Sequence, residues 1–310
     1  MKLDIASHQG SGNKPAIVFI HGLGMDKNIW INPSDSRILA GTFPLKILLN
    51  RRVAQDQSGV IATLYDDLKQ RDYSLITWSQ QRPAGPIASV AKELQEIMKA
   101  ANELSQAGII LVGHSRGGLI ARKYLSATDD TSVKCLLTIS TPHKGSSIAG
   151  ISRYVTPLVT LIDPFIPAGN RGSRSSAMKR TMEFLKSRAL KELLPDSPFF
   201  QSLEDGPLAW IYYASVGGTN PTLFNISHYS FPDMFEKVIP PNLYPQELKQ
   251  GRGDGLVSAE SSKLPWTNEH HVFPFNHAEI LFDEGVRNRM VQVIERISGA
   301  TSGSNQSSPP

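Results

Sequence analysis

Residues 108–118 run Gly-Ile-Ile-Leu-Val-Gly-His-Ser-Arg-Gly-Gly, and Ser115 is the side chain in that run with a hydroxyl to offer as a nucleophile. A serine hydroxyl is a weak nucleophile until a neighbouring base takes its proton. Gly113-His114-Ser115-Arg116-Gly117 keeps the spacing G-x-S-x-G. Ile109 to Val112 is apolar and β-branched, as a buried strand requires. Leu119, Ile120, Tyr124 and Leu125 then recur at helical spacing. Strand, sharp turn and helix form a nucleophile elbow, which exposes the serine Oγ at its tip. An ordinary Gly-rich β-to-α turn is the bland alternative, and the flanking strand and helix weigh against it.

Acyl transfer also needs two backbone N–H groups aimed at a developing oxyanion. The residue after the nucleophile supplies one, which makes Arg116 a candidate. A loop after an early strand supplies the other. Ala16-Ile17-Val18-Phe19-Ile20 is an apolar strand that enters His21-Gly22-Leu23-Gly24, and Leu23 is the candidate donor there. Only the N–H of each residue matters for that role.

The base and the group that orients it should follow in the order Ser, Asp or Glu, His. Gly251-Arg252-Gly253-Asp254-Gly255-Leu256-Val257-Ser258 puts Asp254 on a loop between glycines. His271-Val272-Phe273-Pro274-Phe275 reads as a last strand, and Asn276-His277-Ala278-Glu279-Ile280 follows. His277 therefore lies just past a strand end, where a base can approach Ser115. His270 and His271 compete for the role but sit at the strand's start. His143, in Thr141-Pro142-His143-Lys144-Gly145-Ser146, precedes Asp254 and reads as structural.

With these motifs in hand, the chain resembles the α/β-hydrolases, and more narrowly the bacterial lipases and carboxylesterases. The resemblance rests on His21-Gly22-Leu23-Gly24, Gly113 to Gly117, Thr141 to Ser146, Gly217-Gly218-Thr219-Asn220-Pro221-Thr222, Asp254-Gly255-Leu256-Val257-Ser258 and Asn276-His277. It implies Ser115 as nucleophile, Asp254 as orienting acid and His277 as base, in carboxylic ester hydrolysis without a cofactor. Secreted members of the group commonly carry a signal peptide, a calcium site and a disulfide. Glu279 stands here where an aspartate is usual, so no metal is expected.

Chemistry at loops needs a scaffold, and the chain alternates strands with helices. Tyr73 to Trp78 reads as a strand, and Pro86 opens a helix with Ile87, Val90, Leu94, Ile97, Met98, Ala101 and Leu104 on one face. The Cys135 to Ile139 run and Trp210 to Val216 add strands, and a closing helix carries Val286, Met290, Val293, Ile294 and Ile297. The fold expected is α/β, with a mostly parallel central sheet and helices on both faces. Residues 1–298 then form one domain. Residues 144–207 are an insertion, read as a helical cap on the apolar run Val155 to Ile166 and the amphipathic positions Met182, Leu185, Ala189, Leu193 and Leu194. Residues 218–250 form a second excursion, and residues 299–310 read as a disordered tail.

The 310 residues, 40% of them hydrophobic, suffice for one large core. A net charge of +4 with scattered basic residues gives no nucleic-acid face. The single cysteine, Cys135, cannot form an internal disulfide. No apolar leader opens the chain, which sets a cytoplasmic expectation. The function expected is a serine esterase or lipase acting through an acyl-enzyme on medium- to long-chain acyl esters. A lipid ester or small-molecule ester is the partner, with transient contact at a lipid interface. The same machinery would serve a thioesterase or amidase. A non-catalytic binding protein on this scaffold is the alternative of another class.

Overall fold

Short apolar runs with β-branched residues build the centre of the molecule. The computed structural model describes residues 3–38, 43–49, 60–150, 183, 187–223, 225–226, 229–230, 232–236 and 239–303. Seven strands form the main sheet: β1 (Asp4–His8), β2 (Ala16–Ile20), β3 (Leu75–Ser79), β4 (Ile109–His114), β5 (Val133–Ile139), β6 (Tyr212–Gly218) and β7 (Glu269–Phe273). Their spatial order is β1-β3-β2-β4-β5-β6-β7. Every neighbouring pair is parallel except β1 with β3.

Alternation sends neighbouring side chains to opposite faces of the sheet. Ile17, Phe19, Ile110, Val112, Leu137 and Val216 join one buried cluster, which includes Leu64 and Leu68 of helix α1 (Leu64–Lys69). Ala16, Val18, Ile20, Ile109 and Leu111 join a second. It takes in the buried faces of α2 (Ile87–Leu104) and α3 (Arg116–Leu125). Helix α4 (Arg188–Glu192) and α5 (Glu284–Gly303) complete the elements needed below, with Val286, Met290, Val293 and Ile294 of α5 in the first cluster. Cys135 is a free thiol buried in β5. This is the α/β-hydrolase fold anticipated above.

Two expectations shift at the C-terminal end. The last strand runs from Glu269 to Phe273 and stops before Pro274, which has no N–H for the ladder. Helix α5 continues to Gly303, so the first residues of the expected disordered tail are helical. Ser298 anchors that end: its hydroxyl donates to the Ile294 carbonyl at 2.8 Å and accepts from the Tyr73 hydroxyl at 2.9 Å. Residues 304–310 lie outside the described residues. Of the expected cap, Val155 to Ile166, Met182 and Leu185 also lie outside them, and its described part holds α4 and the short helix Pro198–Gln201. The described flank does pack on the core: Ala189 is buried, and Leu193 joins the second cluster.

The excursion over residues 218–250 holds a two-residue strand pair, Asn225–Ile226 with Tyr229–Ser230, and the short helix Asp233–Glu236. Phe235, Ile239 and Leu248 anchor it in the first cluster. Among the described residues no helix is long and apolar enough to cross a membrane.

Candidate active site

Parallel strands put all their C-terminal ends on one side, and the loops there gather the residues of interest. Ser115 joins β4 to α3. Its backbone has φ 54 and ψ −126, a conformation few residues other than glycine adopt. Its N–H donates to the Ile139 carbonyl at 2.8 Å, so the turn is seated on β5. Gly117 makes the turn possible, because a Cβ there would lie on the carbonyl oxygen of Ile20. Arg116, at the first turn of α3, has an N–H that no backbone carbonyl among the described residues engages.

The loop after β2 meets the elbow. A Cβ built on Gly22 would stand 3.1 Å from the Ser115 Cβ. The Leu23 N–H, next along the chain, is likewise unengaged among the described residues. Ser115, Arg116 and Leu23 thus belong to one small region.

Asp254 and His277 form a second unit. Asp254 is fully buried and His277 nearly so. His277 Nδ1 donates to Asp254 Oδ2 at 2.9 Å, so in the neutral ring Nε2 is the nitrogen free to accept. The other carboxylate oxygen, Oδ1, accepts from the N–H of Leu256 at 3.0 Å and of Val257 at 2.7 Å. Gly255, at φ 96, supplies the left-handed step this tight loop requires. The His277 N–H donates to the Asp254 carbonyl at 2.9 Å, which ties the two loops together again.

His114 links the two units. Its ring lies 4.9 Å from the His277 ring, and its Nε2 donates to the His277 carbonyl at 3.1 Å. Burial first, then the nearby His277, hold the His114 pKa well below that of a free imidazole. Among the described residues no hydrogen bond joins the Ser115 hydroxyl to His277. Such contacts are often loose before substrate binds.

The other histidines are occupied elsewhere. His143 is buried against Thr138 and Arg122. His270 bonds the Ser215 hydroxyl at 2.8 Å, and His271 bonds Glu269 at 2.9 Å. Among the described residues no group of three or more His, Cys, Asp or Glu side chains is arranged to hold a metal ion.

Sequence reasoning missed three residues that shape the site. Asn276 is fully buried and makes four bonds. Its Nδ2 donates to the carbonyls of Leu48 at 3.2 Å and Thr222 at 2.9 Å. Its Oδ1 accepts from the N–H of Ala278 at 3.0 Å and Glu279 at 2.9 Å. An Asn just before a loop histidine is the signal that could have marked it. Gln80 and the side chain of Arg116 are the others, and their partners are too distant in sequence to leave such a mark.

Comparison with known proteins now bears on this arrangement. The family described as palmitoyl protein thioesterase matches residues 16–170. That span holds β2, the Leu23 loop, the elbow and α3. No curated protein matches the chain in sequence. Among solved structures, the mature lipase of Bacillus licheniformis superposes with a TM-score of 0.52 at 18% identity, covering 94% of this chain and 97% of that one. An esterase from Exiguobacterium antarcticum gives a TM-score of 0.52 at 11% identity, covering 94% of each chain. A non-heme bromoperoxidase of Mycobacterium tuberculosis, so described, gives 0.51 at 12%, covering 96% of this chain and 97% of that one. At such identities the likeness is one of fold.

Proposed function

The chain belongs to the palmitoyl protein thioesterase family, and from that membership we propose that it is a serine hydrolase of acyl esters, working through a covalent acyl-enzyme. The observation that carries the reading is the buried Asp254–His277 hydrogen bond, with the His277 ring against that of His114, the residue before a serine held at positive φ. His277 Nε2 takes the proton of the Ser115 hydroxyl as Oγ attacks the acyl carbonyl carbon. The carbonyl oxygen becomes an oxyanion, which accepts from the N–H groups of Leu23 and Arg116. Asp254 holds the imidazole in the tautomer that accepts at Nε2 and stabilises the imidazolium that forms. As the carbonyl reforms, the bond to the alkoxide breaks, and His277 gives its proton to the leaving alcohol. Water then repeats the sequence on the acyl-enzyme and releases the acid.

A thiolate leaves in the same way, and the family match favours a thioester as the second substrate class. The test is a comparison of p-nitrophenyl esters with acyl-coenzyme A and S-acyl peptides of equal chain length. A higher kcat/KM on the esters supports the first class, and a higher value on the sulfur substrates supports the second. Failure of a fluorophosphonate probe to label Ser115 would contradict both and favour a binding protein on this scaffold.

The apolar run Val155 to Ile166 supports a preference for medium or long acyl chains and a transient contact with a lipid surface. Burying apolar area against acyl chain or lipid contributes about 25 cal/mol per Å². Replacing Leu161 and Phe165 with serine is expected to weaken octanoate and palmitate turnover far more than acetate turnover. A parallel loss on all three would assign the run to the fold.

A further inference from the structure

The Arg116 side chain is fully buried and points away from solvent into the loop after β3. A guanidinium only donates, so what it meets must accept. Nη1 donates to Gln80 Oε1 at 3.3 Å and to the Pro83 carbonyl at 3.2 Å, and Nη2 donates to the Gly85 carbonyl. With its oxygen facing Arg116, the Gln80 amide turns its nitrogen to the His21 carbonyl, at 2.9 Å. The Gln80 N–H donates to His21 Nε2 at 3.1 Å. That bond leaves the ring proton on Nδ1, which donates to the Gly22 carbonyl at 2.9 Å. The Pro83 carbonyl, already held by Arg116, also accepts from the Gly24 N–H at 3.2 Å. Leu23 is therefore clasped on both sides, through His21 before it and Gly24 after it.

A peptide plane is rigid, and in its trans form the C=O and the N–H point in opposite directions. The Gly22 carbonyl and the Leu23 N–H belong to the same plane. Fixing the carbonyl toward His21 Nδ1 fixes the N–H away from it. Burial keeps the His21 imidazole neutral, with its pKa lowered to about 4.

We propose that Gln80, gripped by the Arg116 guanidinium, is a positioning residue that aims the Leu23 N–H at the oxyanion. The inference rests on the reading of Ser115 as nucleophile and Leu23 as oxyanion donor. In it, Arg116 serves the site twice: its own N–H is one donor, and its side chain sets the direction of the other.

The test uses Gln80→Ala, Arg116→Met and the double variant, each assayed on p-nitrophenyl butyrate with active sites counted by fluorophosphonate. Both substitutions leave every backbone N–H in place. Misaiming a donor should cost less than deleting one, which lowers kcat about 10²–10³-fold. The expected loss is about tenfold to hundredfold in kcat, with KM changed by about twofold or less. The Ki of an alkyl boronic acid, whose adduct with Ser115 carries a tetrahedral oxyanion, should rise in proportion to the loss in kcat/KM. The double variant should be no worse than the poorer single, because both act through one strap. Gln80→Ala with an unchanged kcat per titrated site, or a loss confined to Tm, would overturn the proposal. Ser115→Ala separates the two levels. If it is inactive while Gln80→Ala is unaffected, the strap alone fails. If it stays active, the underlying reading of the site fails.

Discussion

The loop that carries Asp254 and the loop that carries Leu23 both belong to the proposed site, yet they are held in different ways. Asp254 is fixed by its own neighbourhood: its carboxylate accepts the N–H groups of residues two and three further on, and its carbonyl meets the His277 N–H. Asn276 does the same for the loop of the base. These are Asx turns, in which a short polar side chain completes a backbone turn. In the Leu23 loop Asp26 accepts one such bond, from the Asn28 N–H, but the bonds that flank Leu23 itself reach another loop. Leu23 depends on Gln80 and Arg116, which are 57 and 93 positions away in sequence. The difference teaches where each half of the site is vulnerable. The acid–base half should respond to changes inside its own loops, and the oxyanion half to changes far along the chain.

The harshest way to probe the comparison is to remove the groups proposed to react. Ser115→Ala and His277→Ala should each lower kcat by about five to six orders of magnitude, and the double variant by little more. Asp254→Asn should cost about 10³–10⁴-fold, since it disturbs the tautomer of His277 without emptying the loop. His271→Ala should leave kcat unchanged, because His271 is engaged with Glu269 in the sheet. Inactivation by His271→Ala with an active His277→Ala would reverse the assignment of the base.

A gentler probe is acid. An unfolded histidine takes its proton at the ordinary pKa of 6.5, whereas buried His21 does so only at about 4. Between those values the unfolded chain binds more protons, so stability is full above pH 6.5 and falls as the pH drops toward 4. The loss from this group is about 3 kcal/mol. His114 and His143 shift in the same direction, and burial is the largest cause for both. Differential scanning calorimetry should show Tm falling through this window. A flat Tm would mean that the oxyanion half does not depend on a neutral His21.

The mildest of the three acts on the acid–base half. Asn276→Ala leaves two carbonyls and two N–H groups without partners, and a buried group left unpaired costs about 1–3 kcal/mol. Waters and small shifts will recover part of that. We expect a Tm lower by several degrees and a kcat reduced about tenfold, with Gln80→Ala, which unpairs fewer buried groups, showing a smaller drop in Tm. Equal losses of stability in both variants would erase the contrast between the two halves.

Much of this was legible in the sequence, for a reason that follows the same division. Elements of the parallel sheet are buried on both faces, so Ile109 to Val112 and Ala16 to Ile20 stand out as apolar runs. Ser115, Asp254 and His277 stand out because each sits in a turn with its own glycines or asparagine. The shift of the last strand by two residues was harder to see. His270 and His271 read as a polar strand entrance, but Ser215 and Glu269 satisfy them inside the ladder. Gln80 and the Arg116 side chain left no trace, because a hydrogen bond between residues tens of positions apart has no local pattern.

The backbone of Ser115 has a consequence for how this protein could change over time. Holding a residue with a Cβ at φ 54 and ψ −126 costs about 1–3 kcal/mol, while glycine tolerates that geometry. The fold therefore carries, at the proposed nucleophile, a tension that mutation alone would tend to release. Ser115→Gly should be inactive yet more stable than Ser115→Ala by about 1 kcal/mol, after allowing for glycine's greater freedom when unfolded. Chemical denaturation of the two variants measures the difference. Selection for stability without selection for turnover would then drift toward glycine at position 115, leaving an intact fold with no enzyme in it.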